Sequence, residues 1–141
     1  MSPDPSCVFC RILAGELPGS FVFRDERVAA FMALPQARPG HVLVVPVQHV
    51  RDLYELPDEL AGPLLGTAAR IARAVKRALQ PEGISLLQNN EPAAGQTVFH
   101  LHIHVLPRAF GRRLEIHPPD AVSDRAVLDD LAAQVRSALA G

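Results

Sequence analysis

Between residues 98 and 107 the chain reads Val98-Phe99-His100-Leu101-His102-Ile103-His104-Val105-Leu106-Pro107, and this stretch restricts the fold more than any other. Three of the six histidines stand on alternate residues with large apolar side chains between them, the period of two that belongs to a half-buried strand. His100, His102 and His104 then share one face. Neighbouring histidines would have Cα atoms roughly 6.6 Å apart and the outer two roughly 13 Å apart. A Zn–N bond is only about 2 Å long, so one ion is a poor fit for all three, and separate duties are expected. Three polar residues merely facing water would be the bland alternative. Lys, Thr or Glu would be the ordinary choices for that purpose.

The 141 residues fit one compact domain with a real core. We expect residues 1–6 to form a loose leader and 7–141 a single domain, with its core at 7–108 and a C-terminal extension and helix at 109–141. The formal net charge of -1 gives no electrostatic case for nucleic-acid or membrane binding. Phosphate ligands would have to be met by local groups. No signal segment and no run of about 18 apolar residues is present, so a cytoplasmic protein is expected. Cys7 and Cys10 are the only cysteines, too close in sequence to staple a fold.

Cys7-Val8-Phe9-Cys10 runs into a short helical pattern with Val8, Phe9, Ile12 and Leu13 on its apolar face and Gly15 at its end. Its cysteines read as half a zinc site, a redox couple or two buried small hydrophobes. A redox couple would be expected after a strand, and none precedes it. Residues 20–23 and 28–32 suggest a hairpin around the charged turn 24–27. The proline-bearing stretch 33–40 must be a loop, and 41–46 is apolar and β-branched enough for a central strand. His49 follows just past its end, a favoured place for ligands.

Residues 58–80 carry the longest helical pattern, with Leu60, Leu64, Leu65, Ala68, Ile71, Ala72, Val75 and Leu79 on one side. Arg70, Arg73, Lys76 and Arg77 form its polar side, read as a solvated face in preference to a phosphate patch. A strand at 84–89 and the histidine strand, joined by the short loop 90–97, should be antiparallel neighbours. That arrangement brings Gln88 or Asn89, Gln96 and Thr97 near the histidines. Residues 109–120 have no clear period. A last helix is expected at 123–140, capped by Ser123 or Asp124, with Val127, Leu128, Leu131, Val135, Ala138 and Leu139 on its apolar side.

With these residues in view, the sequence resembles the histidine triad (HIT) hydrolases and nucleotidyl transferases, whose signature is His-x-His-x-His followed by small or apolar residues. The likeness extends from Cys7 to Arg108. It includes Cys7-Val8-Phe9-Cys10-Arg11, Phe31-Met32, Pro39-Gly40-His41 with the strand to Pro46, His49, and Asn89 through Gly95-Gln96-Thr97-Val98-Phe99 to the triad. The final helix looks like that of the bacterial, zinc-containing branch. The resemblance implies an α+β fold, an antiparallel sheet of about five strands flanked by helices, a homodimer, and a nucleotide substrate with a purine base.

The resemblance also divides the histidines. His102 corresponds to the nucleophile that attacks an α-phosphorus and carries the nucleotidyl group until water releases it, a task suited to neutral imidazole. His104 corresponds to a contact on the phosphate or leaving-group side, and His41 to a supporting histidine. His100, the third member of the catalytic triad, joins Cys7, Cys10 and His49 as a Cys₂His₂ set with no open position, which implies structural zinc. Asn89, Gln96 and Thr97 match positions around the phosphate, and Phe9, Ile12, Phe31 and Leu34 match the base pocket.

One departure stands out. Where the family commonly has Phe-x-Asp, its carboxylate accepting the ribose hydroxyls, this chain has Phe31-Met32-Ala33. The resemblance therefore implies a hydrolase or transferase of nucleotide phosphoramidate or phosphoanhydride bonds. A nucleotide-binding regulatory module with little turnover is the alternative. A metal-dependent hydrolase using the His-x-His pair ranks below both, because only His117 and scattered carboxylates follow His104 as further ligands.

Overall fold

The computed structural model describes residues 3–140. Met1 and Ser2 of the expected leader, and Gly141, lie outside them. Helix α1 (Val8–Leu13) comes first, followed by strands β1 (Phe21–Arg24), β2 (Val28–Met32) and β3 (Val42–Pro46). The long helix α2 (Asp58–Leu79) leads to β4 (Gly83–Leu87), β5 (Ile103–Arg108) and the last helix α3 (Arg125–Ala140). The five strands form one sheet in the order β1-β2-β3-β5-β4, and every pairing is antiparallel. The fold is α+β, with β3 at the centre as its apolar run requires.

Register decides which face carries the chemistry. Phe31 pairs with Leu43 and Leu43 with His104, and cross-strand partners point to the same side. Ala29, Phe31, Ala33, Leu43 and Val45 pack with Cys7, Phe9, Cys10 and Leu13 under α1. The alternate residues Val28, Ala30, Met32, Val42 and Val44 pack with Leu101 and Val105 against α2 and α3. Alternation through the histidine stretch therefore sends the imidazoles toward α1 and the aliphatic side chains toward the long helices.

That stretch differs from expectation in two respects. Ladder pairing starts at Ile103, not Val98, because the N–H of Leu101 donates to the carbonyl of Val50 at 2.7 Å outside the sheet. Both sides are also covered, with His100, His102 and His104 all buried. The strand is not half-buried, and the polar face is itself an interior.

The helices form largely where their periodicity places them. Helix α2 buries Leu60, Leu64, Ala68, Ile71 and Val75, and shortening a fully buried side chain such as Ile71 to Ala should cost about 2–5 kcal/mol. Leu65 and Val127, read as apolar-face residues, are 58% and 42% exposed. Val8, 39% exposed, is likewise not buried. The arginines of α2 are more than a solvated face. Arg70 lies 4.7 Å over the Phe23 ring, and Arg77 donates to the carbonyl of Ala138 at 2.6 Å, tying the helix to β1 and to the end of α3. Asp124 is the cap of α3, its carboxylate accepting from the N–H of Ala126 at 2.8 Å. Within the expected leader, the Asp4 carboxylate accepts from the N–H and hydroxyl of Ser6, while its carbonyl accepts from the N–H of Cys7. Among the described residues no helix is long and apolar enough to cross a membrane.

Candidate functional site: a histidine cavity beside a Cys2His2 cluster

Two adjoining sites share the α1 face. The first is a cavity of about 190 Å³ lined by Phe9, Ile12, Phe31, Ala33, Leu34, Thr97, His41, His102 and His104, among others. The apolar residues form its walls and the imidazoles its polar end.

Each histidine there has a definable tautomer. His102 Nδ1 lies 2.7 Å from the carbonyl of His100; a carbonyl only accepts, so Nδ1 carries the proton and Nε2 keeps a lone pair. His41 Nδ1 accepts from the N–H of Ala37 at 3.3 Å, so its proton is on Nε2. That N–H donates to His104 Nδ1 at 2.9 Å, which leaves the remaining proton of neutral His104 on Nε2. The cavity thus holds a bare imidazole nitrogen on His102 and an N–H on His104, with ring centroids 4.9 Å apart.

Burial keeps these rings neutral. It pushes His41 down to about 3 and His104 to about 4, with neighbouring imidazoles acting in the same direction. It also lowers His102, against the opposing hydrogen bond to the His100 carbonyl. Phe9 contributes to this desolvation, its ring standing edge-on to His102 at 5.1 Å between centroids. An imidazole free of its proton is the nucleophilic form.

The loop that delivers His41 is organised by Gln36, a residue that no sequence motif marks. Its buried amide donates to the carbonyls of Ala33 and His41 at 2.6 and 2.7 Å. Its oxygen accepts from the N–H groups of Gly40 and His41 at 2.9 and 3.1 Å. Gly40 has φ +97, and a Cβ there would meet Leu79 at 2.5 Å and Pro107 at 3.3 Å. Glycine is required on both counts.

The second site is the cluster of Cys7, Cys10, His49 and His100, whose four donor atoms lie within 4.8 Å of one another. His100 Nδ1 is 3.4 and 3.5 Å from the sulfurs of Cys7 and Cys10. His49 Nδ1 is 3.2 Å from the Cys10 sulfur and from His100 Nδ1. Tetrahedral zinc with bonds of about 2.0–2.3 Å places its ligand atoms about 3.3–3.8 Å apart, so the donor set fits. His100 Nε2 donates to the carbonyl of Pro46 at 2.8 Å, turning the Nδ1 lone pair to the sulfurs as a metal ligand requires. Burial pushes the Cys7 thiol up to about 11, and a cation reverses that preference.

The expected phosphate loop divides. Thr97 lines the cavity together with Gly95 and Val98. Gln96 faces away, donating to the carbonyls of Arg51 and Val98 and accepting from the N–H of Glu91. Asn89 stands behind Gly95, its side-chain nitrogen 3.4 Å from where a Cβ on that glycine would lie. His100 serves the cysteine cluster and is not part of the cavity wall. Ile116, His117 and Arg125 also line the wall; the sequence offers no cavity role for them, and His117 enters it only as a possible metal ligand. They belong to an aperiodic stretch and to the first turn of α3, and the sixth histidine was the only available signal.

The fold and site define a class of small α+β proteins with a buried histidine cavity next to a thiolate–imidazole cluster. The HIT domain model matches residues 14–111, and the chain belongs to that family. It is 41% identical over 120 residues to Protein hit of Bacillus subtilis, covering 82% of this chain and 83% of that one. It is 34% identical over 103 residues to the adenosine 5'-monophosphoramidase hnt1 of Schizosaccharomyces pombe, covering 73% and 74%. Among solved structures, a Hit-like protein of Bartonella henselae superposes with TM-score 0.88 at 36% identity, covering 98% and 99%. A zinc-bound histidine triad family protein of Mycobacterium smegmatis superposes with TM-score 0.81 at 35% identity, covering 96% and 94%.

Proposed function

We propose that the chain is a nucleotide hydrolase or nucleotidyl transferase that works through a covalent intermediate on His102. One observation carries the reading. The Nδ1–H of His102 is spent on its hydrogen bond to the carbonyl of His100, which turns an unprotonated Nε2 into a cavity shared with the N–H of His104. In the first step Nε2 attacks the α-phosphorus, the P–N bond forms and the bond from phosphorus to the leaving group breaks. His104 Nε2–H donates to the phosphate or leaving-group oxygen or nitrogen, backed by His41. Water then attacks phosphorus: the P–O bond forms as the P–N bond breaks, the water's spare proton passes to solvent, and His102 regains its lone pair.

Phe9, Ile12, Phe31 and Leu34 offer an apolar slot suited to a base, with purine the better filler. Thr97, with Asn89 and Gln96 behind it, holds the phosphate loop. Zinc on Cys7, Cys10, His49 and His100 would be structural, since four protein ligands leave no open position; it would neutralise two thiolates and pin α1 over the sheet. The reading includes a homodimer, supported by the free edge of β4 and by Leu86 and Leu65, 44% and 58% exposed. The name of the S. pombe relative makes adenosine 5'-phosphoramidate the first substrate to try.

Intact-mass spectrometry after brief mixing with a nucleotide panel tests the mechanism, under quench conditions shown to preserve phosphoramidates. We expect one nucleotidyl adduct per chain in wild type and none in His102→Ala. Unchanged single-turnover hydrolysis in His102→Ala would overturn the proposal.

A further inference from the structure

Beyond the C-terminal end of β5 lies a second cavity, of about 260 Å³, that shares no lining residue with the histidine cavity. The aperiodic stretch after β5 divides the two, with Ile116 and His117 facing the histidines and Leu114, Glu115 and Pro118 facing outward. Four arginines converge on the outer cavity: Arg38, Arg108, Arg112 and Arg113. Glu115 is the only acidic residue in its wall.

These charges are poorly matched by the protein itself. Only Arg112 of the four reaches a carboxylate among the described residues, that of Asp120 at 3.9 Å on the open surface. Arg108 donates to the hydroxyl of Ser85 at 3.0 Å, a neutral partner. The Nε–H of Arg38 is buried without any hydrogen-bond partner among the described residues. Buried N–H donors are nearly always satisfied, and a guanidinium fork is shaped for the paired oxygens of phosphate. A wall with three more positive than negative side chains, in a chain of net charge -1, marks a place built for a multiply charged anion. We propose that this cavity binds an oligophosphate, a chain of two or more phosphoryl groups, at a site separate from the histidines.

Calorimetric titration of the full chain with tripolyphosphate tests this, with ATP and citrate as comparison ligands. One equivalent should bind to wild type and to His102→Ala alike, since the histidine cavity is not involved. Arg112→Gln/Arg113→Gln alters two exposed residues and should weaken binding about tenfold or more, the effect of removing charge-assisted hydrogen bonds. Arg38→Gln should weaken it likewise and leave the melting temperature unchanged or higher, because an unpartnered buried N–H is removed. Arg73→Gln/Arg77→Gln removes equal charge from α2 and should change affinity by less than about twofold at physiological ionic strength.

The site assignment fails if Arg38→Gln and Arg112→Gln/Arg113→Gln bind as wild type does, or if Arg73→Gln/Arg77→Gln weakens binding as much. It also fails if His102→Ala abolishes tripolyphosphate binding. Binding of ATP without tripolyphosphate, or of citrate as tightly as tripolyphosphate, would overturn the assignment to oligophosphate.

Discussion

His41 Nε2 lies 2.9 Å from His104 Nδ1, and the backbone N–H of Ala37, 3.3 Å from His41 Nδ1, sets the direction of that bond. A backbone donor thus determines, through two rings, that His104 presents a proton to the cavity. Gln36 and Gly40 exist in this loop to hold that geometry. Protonating either imidazole adds a hydrogen where an acceptor is needed, so both rings must stay neutral for the relay to persist.

This gives stability a defined pH dependence. The folded values, about 3 for His41 and about 4 for His104, lie below the unfolded value near 6.5. The unfolded chain therefore binds more protons between these limits. The stability this pair contributes is fully present above pH 6.5 and declines as pH falls, by about 6 kcal/mol for the pair at pH 4. Urea unfolding at pH 7, 5.5 and 4.5 should show this decline, and His41→Gln should show less of it. Comparing the two proteins cancels acid-driven changes at the cysteine cluster. Parallel curves would sink the assignment.

The relay also predicts how substrates respond to mutation. His104→Gln keeps polarity but loses the orienting bond, and should lower turnover about 10²–10⁴-fold, the range for a lost proton donor. The loss should be largest for poor leaving groups, which depend most on proton donation, and smallest for activated ones. Single-turnover rates across a series of leaving-group pKa values measure this. An equal loss across the series would make His104 a binding residue only.

Much of this site is legible in residues 98–107, since period-two alternation alone places the imidazoles on a common side, whereas the pairing of His104 with Leu43 is set by tertiary register that no local pattern carries. The separate duty of His100 required knowledge of partners 90 or so residues away, which periodicity does not carry. Nor did local pattern show that both faces would be covered, because α1 is only six residues long and its burial comes from tertiary contact. Gln36 looked like an ordinary loop residue, as its four hydrogen bonds exist only after the 33–41 loop closes. Ile116 and His117 reach the cavity from a stretch with no sequence period to follow, and Arg125 from the first turn of α3, where helical period does not say which way the side chain faces.

The cysteine cluster should behave as a structural centre. Protein purified without chelator should contain about one zinc per chain, and Cys10→Ser should lose it. Because binding occurs only in the folded state, its free energy is folding free energy, and a loss of several kcal/mol is expected. Thermal melts with and without a strong chelator check this, and Cys10→Ser should melt near the chelated wild type. Metal content well below one, or a melt insensitive to chelator, would refute a structural metal.

Ala33 stands where the resemblance to the histidine triad family leads one to expect a carboxylate. It is buried, lines the cavity and has no side-chain acceptor to offer a sugar hydroxyl. Wild type should therefore discriminate poorly between ribonucleotides and their deoxy counterparts. Ala33→Asp should restore discrimination by about tenfold or more, as charge-assisted hydrogen bonds contribute about 1.5–3 kcal/mol each. The same change buries a carboxylate in a largely apolar wall, and should cost about 1–3 kcal/mol in stability until the sugar occupies it. The two effects are linked: ribonucleotide should raise the melting temperature of Ala33→Asp more than that of wild type, while the deoxynucleotide should raise both alike. Strong ribose preference in wild type, with no gain in the variant, would show that another residue of the wall accepts the hydroxyls.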